Sequence, residues 1–362
     1  MPRHTRALID ASALQHNYRL AAQQASPAQA MAVVKADGYG HGLLNVLSAL
    51  DDQVPCYAVA TVEEGVSIRQ WGSRHPVVLL EGTHDPEDWA LCVRHQLQPV
   101  LHSPHQIDQL AAFTRQNPAH PGITLWLKCN TGMNRLGFAP AEIPPVIEQL
   151  QALPEVTLLG LMTHFARADD LDNAMTARQN AEISVLARRY PHLSISTGNS
   201  AAHYHHNDLF HWTRPGIMLY GGSPLLSARG PALGLQPAMQ LLSRIIAVRA
   251  LSPGDSVGYG ASWTASTPGR MGIVEIGYGD GYPRHAPSGT PVAVGGQRVP
   301  LIGRVSMDML AVDLTTVPGL GVGAPVELWG QTVSVDEVAE WAGTISYALL
   351  TGVLPRVPRL PA

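Results

Sequence analysis

Between Ser12 and about Tyr220 the chain alternates apolar runs of strand length with helical patterns, and that alternation limits the fold more than any other feature. Strand candidates are Met31–Lys35, Tyr57–Thr61, Val77–Glu81, Pro99–Ser103, Thr124–Lys128, Leu158–His164, Leu193–Thr197 and a segment near Trp212. Helical patterns separate most of them. Asp85-Pro86-Glu87 has the capping carboxylate, first-turn proline and early acid of a helix start. Asp170 to Arg189 reads as a longer helix rich in alanine, glutamine and arginine. About eight βα units in sequence point to a parallel (β/α)8 barrel of the TIM type. A doubly wound open sheet is the competing arrangement on pattern alone.

After Ser227 the texture changes. Short β-rich runs follow at Leu241–Val248, Met271–Ile276, Val292–Val294, Met309–Leu314 and Val326–Trp329, separated by Gly-Pro, Gly-Asp and Gly-Gly turn signals. The expected organisation is therefore a barrel over 1–227 and a mostly β unit over 228–362. Ser334-Val335-Asp336-Glu337 starts one late helix, Thr344 to Leu350 suggests another, and the tail Pro355–Ala362 is expected on the surface.

Composition excludes several classes of function. Charged residues are 14% and hydrophobic residues 45%, which builds large cores and argues against disorder. A net charge of −4 gives no pull toward nucleic acid. No apolar stretch approaches the ~20 residues that span a bilayer, so no membrane partner is expected. The N-terminus leads into Ala7-Leu8-Ile9-Asp10 and not into an apolar signal core. Cys56, Cys92 and Cys129 have no metal or redox spacing and suit a reducing, cytoplasmic compartment. The histidines, including His203, His205 and His206, show no metal-binding pattern and read as a solvated polar face.

In a parallel barrel the site gathers at the C-terminal ends of the strands. Lys35 ends the first strand candidate, Lys128 the fifth and His164 the sixth; Ser200 follows the seventh and Arg214 lies in the last. Each alone has an ordinary explanation, because charged groups favour strand ends where water is. Lys35 differs in standing before Ala36-Asp37-Gly38-Tyr39-Gly40-His41-Gly42. An amine at the mouth of a buried strand loses hydration and becomes a nucleophile or base, as Schiff-base chemistry with an aldehyde cofactor requires. The glycines let backbone approach a ligand closely.

Val33-Val34-Lys35-Ala36-Asp37-Gly38-Tyr39-Gly40-His41-Gly42 resembles the signature of the pyridoxal-phosphate-dependent alanine racemases, and the resemblance runs from about Arg6 to Arg359. It implies that Lys35 carries pyridoxal 5'-phosphate. Arg214, in Trp212-Thr213-Arg214-Pro215-Gly216, would bond the cofactor's ring nitrogen, and Gly216 and Ile217 would offer backbone N–H groups to its phosphate. An arginine can only donate, so it disfavours a proton on that nitrogen. Ser200, Tyr39 and Tyr347 match residues that also bond the phosphate, and His164 matches one beside the ring. A plain helix cap at Ser200 or Asn199 remains the alternative for that turn.

In Lys128-Cys129-Asn130-Thr131-Gly132-Met133-Asn134-Arg135, Arg135 matches the arginine that bonds the substrate carboxylate, and Lys128 matches a lysine often carbamylated in the family. Asn130 departs from the more usual aspartate. Tyr259, between Gly258 and Gly260, matches the second catalytic base, which reaches the active site of the other subunit. Met307 matches a residue lining the substrate site; Tyr278 and Tyr282 match the loop that narrows its entrance.

The function so implied is two-base racemisation of L-alanine and D-alanine by a homodimer with shared active sites. It supplies D-alanine as a peptidoglycan precursor or consumes it. Lys35 would serve the D-enantiomer and Tyr259 the L-enantiomer. A serine or broad-specificity racemase, a decarboxylase on the same scaffold, or a pyridoxal-phosphate-binding protein without turnover are the other readings. The β unit with Gly258-Tyr259-Gly260 argues against the last, which resembles the barrel alone.

Overall fold

The computed structural model describes residues 3–170, 172–204 and 209–362. Its first sheet is entirely parallel. In spatial order its strands are Gln29–Ala30, Trp212–Thr213, Ser194–Ser196, Val156–Met162, Ile123–Lys128, Leu97–Leu101, Val77–Leu79, Tyr57–Val59 and Ala32–Val33. The first and last of these are one stretch of chain interrupted at Met31. Gln29–Ala30 pairs with Trp212–Thr213, and Ala32–Val33 pairs with Tyr57–Ala58. Met31 N–H donates to Thr213 O and Ala32 N–H to Cys56 O, both at 2.9 Å. The stretch is thus bonded on both sides, the sheet closes, and the open doubly wound alternative is ruled out.

Closure explains the continuous apolar runs, because a parallel strand covered on both faces has no solvent side. Val77, Val78 and Leu79 are fully buried, as are Tyr57, Ala58 and Val59. Some of the helices start on side-chain caps. Asp10 Oδ1 accepts from Ser12 N–H (2.8 Å) and Ala13 N–H (3.1 Å) before helix Ala11–Ala25. Helix Pro86–His95 begins after Asp85, as its sequence suggests. The helix expected from Asp170 begins only at Met175, where Asn173 Oδ1 accepts Met175 N–H (3.0 Å). Cys56, Cys92 and Cys129 are all buried and free.

The second sheet runs Gly269–Val274, Leu310–Asp313, Gln297–Ile302, Pro291–Val294, Pro325–Trp329, Met239–Leu251, Arg6–Ile9, Arg359–Pro361. Gly269–Val274 also pairs with Met239–Leu251, which curls these strands into a ring. Gly295 and Gly296, with φ of 57° and 78°, make the two-residue turn between Pro291–Val294 and Gln297–Ile302. Arg6–Ile9 joins this sheet from the start of the chain, antiparallel to Met239–Leu251 and parallel to Arg359–Pro361. The C-terminal tail is mostly exposed, as expected, but it is tied down: Val357 is fully buried and Arg359–Pro361 forms an edge strand. Helices Val335–Ala342 and Ser346–Thr351 sit between the last long strand and this tail.

Candidate active site

Lys35 stands just beyond the first strand, where the chain makes a left-handed turn. Ala36, Asp37, Gly38 and Tyr39 have φ of 53°, 54°, 60° and 52°. Such a conformation costs an L-residue about 1–2 kcal/mol, so the surroundings must hold it. Gly38 N–H donates to Val34 O (3.0 Å) and Gly40 N–H to Ala36 O (2.9 Å). Glu64 accepts Ala36 N–H (2.6 Å), and Asp37 accepts Leu43 N–H (2.7 Å). His41 Nδ1 lies 3.1 Å from Gly38 O and 3.0 Å from Tyr39 O, and Arg359 Nε donates to Gly40 O (3.1 Å). Burial pushes the His41 pKa down to about 4. The ring is therefore neutral near pH 7, and its carbonyl partners place the proton on Nδ1. Gly40 is required as glycine, since a Cβ there would lie 2.1 Å from Leu350 O.

Opposite this turn, Ser200 Oγ accepts from Gly216 N–H (2.8 Å) and Met218 N–H (3.5 Å). It ties the turn after Ser194–Ser196 to the turn after Trp212–Thr213, which is more than a local helix cap. A Cβ on Gly216 would sit 2.3 Å from the Tyr39 hydroxyl, so backbone and phenol meet only because the residue is glycine. Tyr39 stacks on Tyr220 at 4.6 Å, and Tyr347 lies 6.0 Å from it on the other side.

These groups surround one cavity of about 420 Å³. Lys35, Tyr39, Lys128, Arg135, His164, Ser200, Arg214, Gly216, Ile217 and Tyr347 all line it. Arg214 is buried and donates to Ser196 Oγ (2.5 Å), Thr163 O (2.6 Å) and Thr197 O (3.1 Å), with His164 Nδ1 at 3.3 Å. Burial lowers its pKa to about 10, which still leaves it cationic. Burial, then Arg214, Arg135 and Lys35, bring the Lys128 amine down to about 8. Burial and the same cations hold His164 well below its ordinary value, so it is neutral. Lys35, Lys128, Arg135 and Arg214 face a single lining carboxylate, Glu81. A cavity so charged favours anionic ligands.

Arg135 rides on the loop closed by Asn130 N–H to Phe138 O (2.8 Å) and Phe138 N–H to Lys128 O (2.9 Å). Asn130 organises it: Oδ1 accepts from Gly132 N–H (3.2 Å) and Asn134 N–H (2.9 Å), and Nδ2 donates to Asn134 Oδ1 (3.0 Å). An aspartate could accept the first two bonds but not donate the third. That is the physical content of the departure at this position.

Two expected residues lie outside the cavity. Tyr259 and Met307, on loops of the β unit, are 69% and 55% exposed. Tyr278 is half-buried, with the Arg284 guanidinium 6.0 Å from its ring. Tyr282 is no entrance residue: it is buried, stacked on Trp329 at 6.1 Å. His203 is not solvated either. It is buried, with Nδ1 on Asn199 O (2.9 Å) and Nε2 on Thr213 Oγ1 (3.0 Å); His205 and His206 fall outside the described residues. Glu64 and His41, which hold the lysine turn, carried no functional signal in the sequence. In the structure Thr61 and Glu64 also form the capping box of helix Val62–Trp71. Among the described residues no cluster of metal-ligating side chains occurs.

A closed parallel barrel whose strand ends gather a lysine and three further cations around one cavity, carried together with a β-rich unit, defines a class of barrel enzyme. Residues 9–224 match the family of the alanine racemase N-terminal domain, and residues 238–361 that of the alanine racemase C-terminal domain. The alanine racemase of Marinobacter nauticus is 55% identical over 99% of both chains. The biosynthetic alanine racemase of Pseudomonas aeruginosa superposes with a TM-score of 0.95, at 44% identity over 99% of both chains. That of Bartonella henselae, solved with covalently bound pyridoxal phosphate, superposes at 0.89 with 26% identity over 100% of both. The chain belongs to the alanine racemase family.

Proposed function

We infer that this chain interconverts L-alanine and D-alanine with pyridoxal 5'-phosphate as its cofactor. The observation that carries the reading is the cavity in which the Ser200–Gly216 cradle converges with four cations, Lys35 and Arg214 among them, against one carboxylate. The cofactor fits what is there. The missing Cβ of Gly216 lets the Tyr39 hydroxyl close on its backbone, and Ser200, Gly216, Ile217, Tyr39 and Tyr347 offer hydroxyl and backbone donors to a phosphate. When bound, the cofactor supplies an electron sink that acidifies the α-proton of an amino acid.

The chain's own groups do the rest. Lys35 Nζ is the group that would hold the cofactor through its aldehyde carbon, and its amine would take and return the α-proton of D-alanine. Arg214 stays cationic and gives the ring nitrogen no proton, which favours return of the α-proton to carbon over its delivery to the cofactor. Arg135 would grip the substrate carboxylate as a planar fork; Met307, which lies outside this chain's cavity, would add a backbone N–H only from the partner subunit, as Tyr259 does. With its pKa near 8, a share of the Lys128 amine is neutral at neutral pH and open to carbon dioxide. The resulting carbamate would hold the Arg135 guanidinium. His164, neutral, packs beside the ring.

The second base is Tyr259 of the partner subunit, acting on the face opposite Lys35 and on L-alanine. Its exposure on one chain is what a residue with a task in another chain requires. The working unit is a homodimer of a barrel, 1–227, and a β unit, 228–362, the latter completed by strand Arg6–Ile9. Among the described residues no helix is long and apolar enough to cross a membrane, and we place the enzyme in the cytoplasm. The test is chiral analysis of purified protein supplied with pyridoxal phosphate and single enantiomers of alanine or serine. Conversion of either alanine enantiomer to a racemic mixture is expected. No inversion, or faster inversion of serine than of alanine, overturns the reading.

A further inference from the structure

The described side chains include a buried carboxylate that the reaction does not use, at the seam between the barrel and the β unit. Asp336 lies in the first turn of helix Val335–Ala342 and is only 6% exposed. Its Oδ1 accepts Ser223 N–H (2.9 Å) and the Ser346 hydroxyl, and its Oδ2 accepts Gly230 N–H (2.7 Å). One carboxylate thus joins three segments. Ser223 follows directly on the turn Gly216–Gly221 that forms the cradle; Gly230 lies on the link into the β unit; Ser346 opens the short helix whose next residue is Tyr347. Burying a carboxylate is costly unless donors satisfy it, and here two backbone groups and one hydroxyl do so. Of the three donors, the hydroxyl is the one that leads to Tyr347, while Ser223 N–H leads back to the cradle. The contact is also close on the other side, where a Cβ on Gly222 would lie 3.3 Å from Ser346 Cβ.

We propose that Asp336 is a positioning residue that, through Ser346, sets Tyr347 against the Gly216–Ile217 cradle and so fixes the enzyme's grip on the cofactor phosphate. This rests on the reading that Tyr347 bonds that phosphate. A side chain held in place before the ligand arrives spares the ordering cost at binding, so the effect on ligand affinity falls on the phosphate.

The test uses the full-length apoprotein, titrated with pyridoxal phosphate and, separately, with pyridoxal, which lacks the phosphate. Ser346→Ala leaves Asp336 its two backbone donors. It should weaken pyridoxal phosphate about five- to tenfold and leave pyridoxal within about twofold. Ser346→Thr, which keeps a hydroxyl, should bind as wild type. Asp336→Asn, isosteric but with one oxygen turned into a donor, should repeat the phosphate-specific loss. In a Tyr347→Phe background Ser346→Ala should add nothing. Equal weakening of both ligands, or a loss that persists with Tyr347→Phe, overturns the proposal. If Tyr347→Phe itself leaves pyridoxal phosphate affinity unchanged, the phosphate role of Tyr347 fails first. If Tyr347→Phe weakens it and Ser346→Ala does not, only the positioning role fails.

Discussion

The barrel mouth and the Tyr259 loop carry the two proposed bases in opposite ways. Lys35 sits on a turn fixed from five directions, by Glu64, Asp37, His41, Arg359 and the close approach of Gly40 to Leu350 O. Tyr259 sits between Gly258 and Gly260, both at φ 75°, on a hairpin of Ser256–Val257 with Trp263–Thr264. Its side chain is 69% exposed. One region is closed and heavily bonded, and the other projects from the β unit. On the proposed function the difference has a simple meaning: charge and strain are concentrated where the cofactor would be held, and the proposed second base is left free to enter a partner subunit's cavity.

The sharpest way to break that comparison is to inactivate each half separately. Lys35→Ala removes both the covalent anchor and a base, and should cost more than about 10⁴-fold in rate. Borohydride reduction of the wild type followed by peptide mass analysis should locate the cofactor on Lys35, and finding it on another lysine would sink the assignment. Tyr259→Ala should be as inactive in practice. Mixed and allowed to exchange, the two variants should recover about a quarter of wild-type activity, because half the dimers are mixed and each has one intact site. Verified exchange with no recovery would mean that Tyr259 serves its own chain.

Next in size is the division of labour between the bases. Tyr259→Phe deletes one oxygen from an exposed ring, so folding and cofactor content should be unchanged. Racemisation should fall about 10²–10⁴-fold in both directions together, since the equilibrium between enantiomers is fixed. Exchange with deuterated solvent should split instead: D-alanine still exchanges its α-proton without inversion, while L-alanine exchange is largely lost. Equal residual exchange from both enantiomers would point to one mobile base.

The two regions also differ in what acid does to them. His41 and His203, beneath the cavity, are each pushed by burial from 6.5 down to about 4. The unfolded chain takes up these protons below about pH 6.5 and the native chain refuses them until about pH 4. Stability therefore falls as pH falls through this window, by up to ~3 kcal/mol per histidine. Urea unfolding at pH 6.5 and pH 5 should show the loss, and His203→Gln should reduce it. A flat profile between those two values would mean the histidines are not held neutral.

Much of the barrel mouth was legible in the sequence, and the reason is locality. The lysine, its glycines and the Arg214-Pro215-Gly216 turn are short segments whose chemistry and backbone needs are written in adjacent residues. What pairs across the chain left little trace. Arg6–Ile9 is four residues that read equally well as any strand, and only its bonds to Met239–Leu251 and Arg359–Pro361 assign it to the second sheet. Tyr282 shares a Gly-rich loop with Tyr278, yet packing on Trp329 decides that it is core. His203 looked like one of a polar cluster because its partners, Asn199 O and Thr213 Oγ1, are brought to it by the fold.

The smallest effect probes how firmly each base is held. Ala36, at φ 53°, and Ala261, at φ 48°, are both exposed non-glycine residues in left-handed backbone. Replacing either with glycine relieves a cost of about 1 kcal/mol and adds back part of it as chain entropy in the unfolded state. Each variant should gain no more than about 1–2 °C in Tm. Activity should tell them apart. The Lys35 turn is over-determined by its hydrogen bonds and by Gly40, so Ala36→Gly should keep the wild-type rate. The Tyr259 loop has Ala261 N–H on Gly258 O at 3.2 Å and the Arg304 guanidinium beside Gly260, where a Cβ would lie 3.3 Å from Nη1; freedom added there moves the phenol directly. Ala261→Gly should slow racemisation about two- to fivefold through misplacement of the base, with KM for alanine unchanged. The reverse pattern, a slower Ala36→Gly and an unaffected Ala261→Gly, would show that the lysine turn is the looser of the two and that its strain, not its bonding, sets the rate.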